Sequence, residues 1–80
     1  MPEEVLFKTE EPHARSEIAD ALAAAAEQID SGTVHLESAD HSETVAVPAE
    51  PTFEVELERL TDSETGEQRY ELEYELSWTE

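Results

Sequence analysis

The chain has 80 residues, enough for one domain, and a chain of that length buries only about 60% of its unfolded surface, which leaves little stability to spare. It has no cysteine, which excludes a disulfide staple, and no run of 18 or more apolar residues, which excludes a membrane-spanning helix. Asp and Glu number 22 against 4 Lys plus Arg, a formal net charge of −18; Lys8, Arg15, Arg59 and Arg69 are too few and too scattered for the basic patch that direct nucleic-acid binding requires.

Residues Glu4 to Thr9 alternate weakly, with Val5 and Phe7 on one side and Leu6 and Lys8 on the other, and are expected to form a short first strand closed by Pro12. From about His13 to Ser31 the residues Ile18, Ala21, Leu22, Ala25 and Ile29 form the stripe of an amphipathic helix. Pro12 suits its first turn, Glu17 and Asp20 favour the positive end of its dipole, and Gly32 stands where a left-handed cap belongs. The far side of the helix carries Asp20, Glu27 and Asp30.

After Gly32 the period becomes two. Val34 and Leu36 alternate with Thr33, His35 and Glu37, and Val45 and Val47 follow the polar turn SADHSE, which predicts a hairpin. Pro48 and Pro51 bracket a bend. Phe53, Val55 and Leu57 then alternate with Glu54, Glu56 and Glu58, until Arg59 and Leu60 break the pattern and suggest a bulge or a strand end. A polar turn, TDSETGEQ, leads to a final strand from about Arg69 to Trp78, with Tyr70, Leu72, Tyr74, Leu76 and Trp78 on one face and Glu71, Glu73 and Glu75 on the other. The predicted fold is α+β, a single domain over residues 1–80 in the order β-α-β-β-β-β, with one amphipathic helix packed on a four- to five-stranded, mainly antiparallel sheet. A helix about 10 to 12 Å across cannot cover strands that together span roughly 19 to 24 Å. The uncovered strip is expected to pair with a second copy, giving a homodimer, or to receive an unidentified protein partner.

Charge this large usually accompanies disorder, but the regular faces point to a folded domain with an acidic coat. Molar salt would screen that coat, since the Debye length falls from about 8 Å at physiological ionic strength to about 3 Å at 1 M. The start, MPEEVLFKTEEP, has no basic region followed by an apolar one, so no secretory signal is expected and the expected location is cytoplasmic.

RSEIADAL followed by DSGTV, then VPAEPTFEVELERL, then the closing ELEYELSW, together resemble the amphi-Trp domain family from about Glu4 to Trp78. The resemblance implies a small domain of amphipathic strands with a closing tryptophan, many members being stand-alone proteins of halophilic archaea. It implies no activity, cofactor or catalytic residue.

Three constellations bear on function. Glu54, Glu56 and Glu58 with Glu71, Glu73 and Glu75 would form a carboxylate ladder if the last two strands pair, with like charges about 4.5 to 5.5 Å apart at Cβ. As a solvated face this needs screening; as a nucleic-acid mimic it offers one charge per roughly 3.4 Å, half the density of duplex DNA at about 1.7 Å. His35, Glu37, Asp40 and His41, with His13 elsewhere, lack the spacing of a zinc site and are expected to be polar, turn-borne residues, so no metal or cofactor is expected. Tyr70, Leu72, Tyr74, Leu76 and Trp78 form a stripe that serves as core or as interface. No enzyme is expected, because there is no cysteine nucleophile, no Gly-rich phosphate loop and no G-x-S-x-G elbow. The expectation is a salt-adapted, self-associating interaction module, with an acidic mimic of nucleic acid as the alternative.

Overall fold

The computed structural model describes residues 2–80. Its elements in chain order are a helix α1, Arg15–Ser31, and four strands, β1 Thr33–Glu37, β2 Ser42–Ala46, β3 Thr52–Thr61 and β4 Gln68–Ser77. The fold is α+β with antiparallel strands, but the single four- to five-stranded sheet is corrected to two separate two-stranded sheets, β1–β2 and β3–β4. The chain divides into two compact units, Met1–Ala49 and Glu50–Glu80.

In the first unit α1 begins two residues later than expected. Ala14 is the capping residue: its carbonyl accepts from the Glu17 and Ile18 N–H groups at 3.0 and 3.1 Å, and its own N–H donates to Glu17 Oε1 at 3.2 Å. Glu17 thus combines a local hydrogen bond with a favourable position at the positive end of the dipole. Pro12 lies ahead of the helix, not in its first turn. At the other end Gly32 takes the expected left-handed conformation, φ 92°, and its N–H donates to the carbonyls of Gln28 and Ile29, each at 3.1 Å. The Gly32 carbonyl then accepts from Val47 N–H at 2.9 Å, so the helix cap also closes the open end of the β1–β2 ladder.

β1 and β2 pair from Thr33↔Ala46 to Glu37↔Ser42, with a loop shorter than SADHSE in which Ser38 N–H donates to the His41 carbonyl at 2.7 Å. Val34, Leu36 and Val45 share one face with Glu43. The backbone N–H of His35 donates to Gln28 Oε1 at 2.6 Å, so a helical side chain satisfies β1 where the strand would otherwise present a bare donor.

The strand expected over Glu4 to Thr9 is corrected: these residues lie in no ladder. Val5, Leu6 and Phe7 are three apolar residues in a row and do not alternate strictly. Instead they line an apolar depression together with Leu36 and Val45. His41 fixes the segment there, with Nε2 donating to the Leu6 carbonyl at 2.8 Å and the imidazole stacked on the Phe7 ring at 5.9 Å.

In the second unit β3 and β4 form one long hairpin, paired without a slip from Thr52↔Ser77 to Thr61↔Gln68. The bulge or strand end expected at Arg59 and Leu60 is absent. The pairing runs straight through, with Arg59 opposite Tyr70 and Leu60 opposite Arg69, so the change of pattern is a local exchange of residue types between the two faces. The connection is an Asx turn: the Asp62 carboxylate accepts from the N–H groups of Glu64 at 2.8 Å and Thr65 at 3.2 Å, while Asp62 N–H donates to the Glu67 carbonyl at 2.8 Å. Gly66 supplies the positive φ, 76°, that lets the chain return.

The two backbone donors, Glu64 first and Thr65 second, hold the Asp62 carboxyl below its ordinary value of 3.8. A carboxyl depressed in the folded state stabilises the fold above its unfolded pKa, and that contribution fades as the pH falls through the lower, folded value. Asp62→Asn keeps an acceptor oxygen but no charge. Its melting temperature is expected to lie below that of the parent at pH 6, with the gap narrowing as the pH is taken below 3.8. A gap that stays constant on acidification would contradict this account of the turn.

Candidate interaction surface

The register of β3 and β4 places the six glutamates of the acidic face and Tyr70, Leu72, Tyr74 and Leu76 of the apolar stripe on one hairpin, with Trp78 directly after its last strand residue. Glu54 stands opposite Glu75, Glu56 opposite Glu73 and Glu58 opposite Glu71. Each row therefore sets two carboxylates side by side at about 4.5 to 5.5 Å between Cβ atoms. Arg69 continues this face toward the turn and reaches Glu71 Oε1 at 3.3 Å, so one cation offsets the last row. Glu71 is half-exposed and the other five glutamates are exposed.

The opposite face joins two stripes. Phe53 pairs with Leu76, Val55 with Tyr74 and Leu57 with Leu72, and the Phe53 and Tyr74 rings stack diagonally at 6.4 Å with 12° between their planes. Phe53, Val55 and Leu57 thus belong to the same surface as Tyr70, Leu72, Tyr74 and Leu76. The antiparallel pairing of two alternating strands was sufficient to indicate this. Arg59, opposite Tyr70, is the only charged residue on the face and makes no salt bridge among the described residues.

This face is open. Leu57 is 70% exposed, Tyr70 61%, Phe53 60% and Leu72 58%, and none of the described residues of the chain is buried. Leu76 and Trp78 are the most covered, both half-buried, and Trp78 follows directly after the last strand residue.

The histidine constellation separates. His35 and Glu37 do share a strand face, with His35 Nε2 3.2 Å from Glu37 Oε2 and Nδ1 2.8 Å from Thr44 Oγ1. His41 turns to the other face, 3.3 Å from Glu43 Oε1 and bonded to Leu6. Asp40 accepts from Ser38 Oγ at 3.3 Å, and His13 lies 4.0 Å from Glu17 one helical turn away. Among the described residues no three His, Asp or Glu side chains converge on a point where a cation could sit. No helix among them is long and apolar enough to cross a membrane.

The structure thus consists of amphipathic strands with the single tryptophan closing the last of them, a small α+β protein whose chemistry is concentrated on one two-faced hairpin. The family model of the Amphi-Trp domain matches residues 1–80, and the chain belongs to that family. No curated protein and no solved structure matches it.

The three rows of paired glutamates set an expectation for salt. Like charges opposite one another cost roughly 0.2 to 1 kcal/mol per pair when unscreened, and 1 kcal/mol moves the melting temperature of a small domain by about 4 to 8 °C. Raising KCl from 0.1 to 3 M is expected to raise the melting temperature by roughly 5 to 15 °C, read by circular dichroism. Glu56→Gln, which uncouples the central row, is expected to reduce that rise by roughly a third. A parent protein whose melting temperature is insensitive to salt would refute the expectation.

Proposed function

We propose that this Amphi-Trp domain is a non-enzymatic interaction module that acts by self-association, adapted to a salt-loaded cytoplasm of the kind found in halophilic archaea. The observation that carries the reading is the pairing of β3 with β4, which collects six large apolar residues, each more than half exposed, on one side of a hairpin whose other side is carboxylate. A two-stranded hairpin is marginal in water by itself, and an open apolar patch of this size is the ordinary signature of an interface. The acidic coat supports the salt-adapted part of the reading, because a net charge of −18 is tolerable where the Debye length is about 3 Å. The lack of a cysteine nucleophile and of any glycine-rich phosphate loop supports the non-enzymatic part.

A second reading, an acidic mimic that occupies a basic protein's nucleic-acid site, is favoured by the register that aligns the two glutamate rows. One charge per roughly 3.4 Å, against about 1.7 Å along duplex DNA, weighs against it.

Sedimentation equilibrium in 3 M KCl tests the first reading. A mass that moves from twice the chain mass toward 9.0 kDa on dilution is the expected result. A concentration-independent monomer, together with recovery from a high-salt lysate of nucleic-acid-binding proteins that competing duplex displaces, would transfer the assignment to the mimic.

A further inference from the structure

The self-association proposed above needs a surface and an orientation, and the hairpin provides both. We propose that two copies pack the apolar faces of their β3–β4 hairpins against each other about a two-fold axis that runs across the strands at the Val55–Tyr74 row, which brings Arg59 of each copy over the Trp78 end of the other.

Area is the first argument. The exposed fractions of Phe53, Val55, Leu57, Tyr70, Leu72 and Tyr74, with the remainder of Leu76 and Trp78, amount to roughly 700 Å² if each side chain offers on the order of 150 to 250 Å². A stable interface takes about 800 Å² from each partner. A second hairpin matches the strip in length because it is the same strip.

Charge is the second argument. In a chain with 22 carboxylates, the alternate residues from Phe53 to Thr61 and from Gln68 to Trp78 include none. Stacking these faces leaves every glutamate row on the outside. Two sheets packed face to face lie about 10 Å apart, so the rows of one copy stand further than that from the rows of the other.

The position of Arg59 selects the axis. An axis along the strands would set row upon row and bring the two Arg59 side chains to the same end of the interface. An axis across the strands at Val55 places each Arg59 four residues from it on opposite sides, about 27 Å apart at about 3.4 Å per residue. That second arrangement also covers the five rows from Pro51 and Trp78 to Arg59 and Tyr70; it stacks Tyr70 on the partner's Trp78 and Arg59 on the partner's Pro51. The indole then lies one strand, about 4.8 Å, to the side, within reach of the long guanidinium side chain, and indole is the favoured aromatic for a cation. Trp78, half-covered in the single chain, is completed by the partner.

The test uses the full chain in 3 M KCl, with sedimentation equilibrium for affinity and emission from Trp78, the only tryptophan, for orientation. Leu57→Glu, next to the axis at a position 70% exposed in the single chain, is expected to raise the dimer Kd at least a hundredfold with unchanged circular dichroism. Should that variant lose its dichroism, Arg59→Glu, at an exposed position, decides in its place and is expected to raise the Kd at least tenfold. Arg59→Ala is expected to shift Trp78 emission in the dimer and to leave it unchanged in the diluted monomer, with Arg59→Lys restoring most of the parent signal. A parent protein that is monomeric at every concentration overturns self-association and this inference with it. A dimeric parent whose affinity survives Leu57→Glu or its substitute leaves self-association standing and overturns this surface. Dimers whose Trp78 emission is indifferent to Arg59→Ala overturn the orientation.

Discussion

A two-stranded ribbon with strict alternation cannot bury its own apolar side, and the β3–β4 hairpin is such a ribbon over ten residues per strand. Its geometry fixes the difficulty. The register that lines up Phe53 with Leu76, Val55 with Tyr74 and Leu57 with Leu72 is the same register that lines up three pairs of glutamates behind them. One face needs apolar cover and the other needs counterions, and the two strands of the ribbon supply neither. A one-residue slip of either strand would set the apolar residues of one beside the glutamates of the other and break both stripes, so the pairing is specified even though the hairpin does not complete itself.

The first unit meets the same difficulty with its own residues. Its β1–β2 hairpin is half as long, and the face bearing Val34, Leu36 and Val45 receives the small side chains of α1 at Ala21, Ala24 and Ala25 and the Val5 to Phe7 segment. Alanine gives the helix propensity and a low profile at once, which lets a helix approach a short hairpin at the cost of little buried area. Polar contacts take over where apolar area is lacking. Gln28 answers the His35 N–H, Gly32 joins the helix end to Val47, and His41 ties the N-terminal segment through Leu6 and Phe7. Cover in this unit remains partial, since Leu36 and Val45 are each 40% exposed.

What was legible in the sequence was whatever depends on period and on single special residues. The helix from its apolar stripe, its end from Gly32, both hairpins, the six glutamates on one face and Tyr70, Leu72, Tyr74 and Leu76 on the other all follow from alternation and parity. Three features were not legible, each for a physical reason. Whether Glu4 to Thr9 enters a ladder depends on a free strand edge, which the segment's own residues do not reveal; the hydrogen bond from His41 to Leu6 spans 35 positions and has no local signal. Whether the two hairpins fuse into one sheet depends on the path from Val47 to Pro51, where Pro48 and Pro51 have no N–H to donate to a ladder. The break at Arg59 and Leu60 looked like a bulge because period alone cannot tell a slipped register from an exchange of residue types between faces.

That exchange has a meaning on the apolar face. A bulge would have turned Arg59 onto the acidic face, among carboxylates it could neutralise. The unbroken register instead holds it beside Tyr70, on a strip that has no carboxylate to pair with it. A guanidinium suits such a position better than an ammonium, because a planar guanidinium can stack on an aromatic face and is less strongly hydrated. In the proposed pairing its distance from the axis keeps the two cations apart, and the packed sheets keep the glutamate rows more than about 10 Å apart across the interface. At physiological salt, with a Debye length of about 8 Å, rows that far apart are already largely screened, whereas Glu56 and Glu73, side by side within one hairpin, are not. Salt therefore acts chiefly on the folding of each hairpin, and pairing depends on salt through the fold it requires.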